Sequence, residues 1–144
     1  MARRSTRRSK TRTHALTLAT YTAAVFLSAL LLFGVQPMFT RMVLPRLGGS
    51  PSVWSVAMVF FQSMLLAGYA YAHVLTTLRQ RYAPVAIHLA LLLVAALALP
   101  LGVAEGWGTP PVTDIAALWL LDLFAVSIGL PFLALSASNP LLQA

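Results

Sequence analysis

The sequence predicts an all-α, polytopic membrane protein, with four transmembrane helices in a bundle joined by short loops. Three observations carry that expectation. Hydrophobic residues make up 59% of the 144-residue chain and charged residues 9%, too little polar surface to face water around a domain of this size. Four apolar runs, residues 15–38, 53–78, 83–104 and 115–137, stand along the chain. At about 1.5 Å per residue each reaches across a hydrocarbon core of about 30 Å. None alternates apolar with polar residues, so helices rather than barrel strands are expected to satisfy the backbone.

The chain begins with a basic tail, residues 1–14, expected to be disordered ahead of a membrane domain at 15–144. It holds Arg3, Arg4, Arg7, Arg8, Lys10 and Arg12. Clustered cations attract phosphate of any kind, in lipid headgroups or in nucleic acid. No aromatic residue is interleaved to stack on bases, so the tail is read as a topology signal touching anionic lipid headgroups, and no nucleic-acid partner is expected. The first apolar run is longer than a signal-peptide core and passes into Gln36 and Pro37 without a small-residue cleavage pattern. The basic leader also lacks the hydrophobic continuation that a twin-arginine signal shows. The run is therefore expected to remain as the first span.

Orientation follows from the other basic residues, Arg41 and Arg46 after the first run and Arg79 and Arg81 after the second. A cytoplasmic N-terminus puts eight basic residues inside and two outside. Both termini are then cytoplasmic, and Glu105 and Asp114 lie on the outer side.

Between the first two runs lies LPRLGGSPSVW, residues 44–54, dense in glycine and proline. Pro37 is expected to end the first helix near the membrane surface, because proline removes a backbone donor and disfavours helical geometry before it. Phe39, Met42 and Val43 fall at helical spacing with Arg41 opposite, which predicts a short interfacial turn that Pro45 stops. Gly48 and Gly49 suit a tight reversal, Ser50 a helix cap, Pro51 a first helical position, and Trp54 a headgroup anchor. Arg46 is the residue of this loop and helix-start motif without a structural assignment beyond its charge.

Chemistry within the spans is sparse. Asp122 is the sole acidic or basic residue in the four runs, and counting inward from the run ends puts Gln62 at a similar depth. The pair suggests a polar contact between the second and fourth helices, or a proton or cation site in a small coupled transporter. His73 and His88 fall one to two turns from the loop at 79–82, and no third ligand accompanies them, so packing is expected rather than a metal site. Cysteine is absent, no hydrolytic triad is assembled, and no cofactor is expected. Ser63, Ala67 and Ala70, with Gly68 and Ala72 beside them, predict a small-residue face on the second helix that another helix covers. Gly129 and Pro131 predict a bend in the fourth.

Two strings add a family. FLSALLLFGVQPMFTRMVLPRLGGSPSVWSVAMVFFQSMLLAGYAYAHVL, from Phe26, and SIGLPFLALSASNPLLQ, from Ser127, resemble the membrane region of the bacterial spermidine synthase-like proteins, described as fused transporter-like and spermidine synthase-like proteins. The resemblance implies an inner-membrane helical region followed by a soluble Rossmann-like aminopropyltransferase domain. This chain has no glycine-rich nucleotide motif and no acidic cluster for a polyamine or decarboxylated S-adenosylmethionine. The expectation is the amino-terminal membrane part alone, without catalysis of its own, partnered by further membrane helices or a soluble spermidine synthase-like domain.

Overall fold

The computed structural model describes residues 3–47, 51–80, 82–104, 106–107 and 116–143, and for 3–13, 46 and 47 the backbone path only. Helices α1 (Arg3–Val43), α2 (Pro51–Thr76), α3 (Ala83–Leu97), α4 (Ala116–Phe124) and α5 (Leu130–Gln143) account for most of it, with no strand among the described residues. Three stretches are long and apolar enough to cross a membrane: His14–Val43, Pro51–Thr76 and Ala116–Gln143.

α1 departs from expectation at both ends. Its helical path starts at Arg3, within the basic tail, and it runs through Pro37 to Val43. A proline inside a helix deletes one hydrogen bond of the ladder, a local cost that packing can offset. Here the turn beyond Pro37 buries Phe39, Thr40 and Val43 almost completely, while Arg41 and Met42 stay outside. The Thr40 hydroxyl donates to the Gln36 carbonyl at 2.8 Å. The turn is thus part of the core rather than an interfacial appendage. The α-helix stops two residues before Pro45, and a 3₁₀ turn, Leu44–Leu47, carries Pro45 and Arg46.

The core at this end is aromatic. The Phe124 ring lies 5.6 Å from Phe39, 5.4 Å from Phe60 and 5.8 Å from Phe61, and Phe61 lies 4.8 Å from Phe132. Offset and edge contacts at these distances are favourable ring geometries. They join α1, α2, α4 and α5, and in lipid such packing substitutes for a hydrophobic driving force between helices.

The third run behaves differently from expectation. α3 covers 15 residues and ends at Leu97, so its length of about 22 Å falls short of a hydrocarbon core of about 30 Å. Pro100 and Gly102 lie just beyond, and neither supports continued helix. The chain continues without helix through residues 98–104. Leu101 and Val103 pack against the core cluster, and the Ala104 amide donates to the Ser127 hydroxyl at 3.0 Å. Trp107 then stacks near Trp119, with ring centroids 5.5 Å apart. Since His88 meets Ser138 at the start of this path and Trp107 meets Trp119 at its end, helix and extended stretch together run antiparallel to the last helix.

That last helix is continuous over Ala116–Gln143 but changes winding in the middle. Residues Ala125–Gly129 form a π-helical turn immediately before Leu130 and Pro131. Pro131 has no amide hydrogen, and its ring crowds the carbonyl four residues back, so a wider turn relieves the ladder. The expected bend at Gly129 and Pro131 therefore takes the form of a π-helical turn. Downstream, α5 is the element that α1, α2 and α3 all pack against.

Candidate functional site

Two polar regions had been expected from the sequence, and the structure separates their members. Asp122 lies on the exposed side of α4, opposite Leu120, Leu123 and Phe124, and Gln62 lies on the exposed side of α2. No hydrogen bond joins them. The Ser63, Ala67 and Ala70 line is also exposed, whereas its neighbours Gly68 and Ala72 are buried. The covered face of α2 instead follows Phe61, Gly68, Ala72 and Leu75, which matches a helical stripe displaced from the small-residue line. Gly48, Gly49 and Ser50 lie outside the described residues, as do Arg81, Glu105 and Asp114. Pro51 opens α2, and Trp54 is 40% exposed one turn further on.

His73 and His88 likewise part company. His73 faces outward, while His88 points into the bundle. Its Nε2 lies 3.1 Å from the Ser138 hydroxyl, and its ring centroid is 6.1 Å from that of Tyr71. The Ser138 hydroxyl also lies 2.9 Å from the Ala134 carbonyl, so its one hydrogen can go to that carbonyl or to Nε2, and the His88 tautomer follows that choice. Nδ1 is buried with no hydrogen-bond partner among the described residues, as is the Tyr71 hydroxyl. The Asn139 side-chain oxygen is a third such atom, one residue beyond Ser138.

The unpartnered Nδ1 argues against one chemical reading. A serine nucleophile needs an imidazole lone pair aimed at its hydroxyl, and a third group to orient the ring. Here the Ser138 hydroxyl lies between His88 Nε2 and the Ala134 carbonyl, and no group among the described residues holds Nδ1 to orient the ring. Among the described residues, no three His, Asp or Glu side chains converge as a metal site would require.

A half-open groove of about 480 Å³ adjoins this cluster. Ser28 of α1, Thr76 of α2, His88 and Leu92 of α3, and Ser138 and Leu142 of α5 contribute to its wall. The volume falls within the range of small-molecule sites. Of these residues the sequence had singled out His88. Ser138, together with Ser136 and Asn139, was visible as a cluster of polar residues in an apolar helix, a signal for a helix that meets other helices on that side. Tyr71 carried no comparable signal.

No protein-family model, no curated protein and no solved structure matches this chain.

Proposed function

We propose that the chain is an integral inner-membrane module, the membrane-anchoring or transporter-like part of a spermidine synthase-like protein, with no catalysis of its own. The observation that carries the membrane reading is the outer surface. Leu18, Phe26, Phe33, Leu66, Leu93 and Leu97 are each more than 60% exposed, and they are spread over α1, α2 and α3. Soluble monomers do not present apolar surface on that scale, whereas hydrocarbon is a matching solvent for it.

In this reading α3 and residues 98–104 make the third of four crossings. Irregular backbone is tolerated at membrane depth where protein covers it. Leu101 and Val103 pack onto the core cluster and Ser127 accepts the Ala104 amide hydrogen, while Ala98, Leu99, Pro100 and Gly102 stay exposed. Both termini are cytoplasmic, with the basic tail at anionic headgroups. The family assignment rests on the strings at 26–75 and 127–143, and it supplies the expected partners: further membrane helices or a soluble spermidine synthase-like domain. Proton- or cation-coupled transport through Asp122 is the weaker alternative, because that carboxyl faces away from the bundle interior.

Alkaline carbonate washing of membranes from expressing cells tests the membrane reading. The chain is expected to stay in the pellet, and its release into the supernatant would overturn the proposal.

A further inference from the structure

We infer that the groove beside His88 binds a neutral amphiphile, with hydroxyl or carbonyl groups in its head and a hydrocarbon tail. The inference rests on the membrane reading above, since the groove opens on a surface assigned to lipid.

The polar groups of the wall define the head. The Thr76 hydroxyl donates to the His73 carbonyl and keeps lone pairs for a donor, while the Ser138 hydroxyl is already shared between the Ala134 carbonyl and His88 Nε2. Ser28 makes no hydrogen bond among the described residues and keeps both roles. None of the described residues lining the groove is an Asp, Glu, Lys or Arg, and His88 is the one titratable group among them. A phosphate or carboxylate head would lose its hydration without a cation to replace it, and an ammonium head would lack an anion. A hydroxyl, ester or amide head meets partners of its own kind.

The remaining wall defines the tail. Val85, Leu89, Leu92, Leu141 and Leu142 supply hydrocarbon. A single acyl chain is slender enough to enter from the side.

A monoacylglycerol bearing a diazirine in its chain, added to the full-length protein in lipid nanodiscs, tests the inference. Photolysis is expected to place adducts on α3 and α5 around Leu89, Leu92 and Leu141, and not on the exposed α1 face at Phe26 and Phe33. Unlabelled monoacylglycerol should compete about tenfold better than the matching fatty acid or alkyl phosphate, the penalty of an unpaired charge. Leu92→Trp, which fills the groove, should cut labelling several-fold with the melting temperature in detergent retained. Val85→Trp at the groove mouth gives the same readout if Leu92→Trp fails to fold. Labelling spread evenly over every exposed apolar face, equal competition by the charged amphiphiles, or labelling indifferent to both tryptophans would overturn the inference. Failure of the membrane reading itself would show separately, as release of the chain by carbonate.

Discussion

Gly68 on α2 lies directly against Ser136 on α5. A methyl group built at Gly68 would run into the Ser136 hydroxyl, and would come within 2.9 Å of Ser136 Cβ and 3.1 Å of the Ala137 amide nitrogen. That hydroxyl donates to the Leu133 carbonyl at 2.9 Å and lies 3.3 Å from the Met64 carbonyl across the interface. The two residues therefore set how near α2 can approach the central helix, by the close-packing route that serves membrane interiors.

Gly68→Ala is accordingly expected to destabilise the protein by about 1–3 kcal/mol, the usual cost of overpacking. Ala67, one residue earlier, is exposed, and Ala67→Leu should leave stability within about 0.5 kcal/mol. Unfolding in mixed micelles measures both. Equal effects at the two positions would place the covered face where the small-residue line at Ser63, Ala67 and Ala70 had suggested.

The turn after Pro37 gives a second contrast. Phe39 is fully buried against Phe124, and Met42 is 41% exposed. Phe39→Ala should cost about 3–5 kcal/mol and Met42→Ala less than about 1 kcal/mol. Similar small losses for both would return this turn to the membrane interface.

In the non-helical stretch after α3, Ser127→Ala removes the acceptor of the Ala104 amide. A buried donor left without its partner costs about 1–3 kcal/mol. Hydrogen exchange at Ala104 should accelerate by a matching factor while amides in α2 keep their protection. Unchanged exchange would mean that the contact does not hold residues 98–104 to the bundle.

Asp122 tests the transport alternative. Its side chain is outside the packed interior, so Asp122→Asn should leave the protein folded. Neither the wild-type chain nor this variant is expected to move protons or cations in sealed vesicles. A reproducible flux lost in Asp122→Asn would restore the coupled transporter.

These contrasts mark what the sequence could convey. Apolar runs of spanning length conveyed an all-helical fold, and three of the four expected spans are long apolar helices, because hydrocarbon length and backbone satisfaction are properties of a single segment. Which side of each helix is covered is a property of pairs, and there the reading slipped. The small residues at 63, 67 and 70 proposed one face of α2, but Phe61, Gly68 and Leu75 bury another, because Ser136 and the phenylalanine cluster supply the complementary surface. Pro37 was read by its local cost alone, and the burial of Phe39 and Val43 outweighs it. Leu97 ends α3 early because Pro100 and Gly102 sit within an apolar composition that hydropathy alone does not distinguish from helix. His88 was noticed, but its partner Ser138 is 50 residues away and only the fold brings them together.

The proposed membrane bundle has an interrupted third segment that still crosses, and cysteine accessibility tests this most directly, because the chain contains no cysteine of its own. Single cysteines at Ser9, Ser52, Gln80 and Gln143 would be challenged with a membrane-impermeant maleimide. The account expects Ser52→Cys to react in intact cells, and Ser9→Cys, Gln80→Cys and Gln143→Cys to react only after permeabilisation. Reaction of Gln143→Cys in intact cells with Ser9→Cys and Gln80→Cys still protected would mean three crossings, with α3 and residues 98–104 remaining on the cytoplasmic side, and would contradict it.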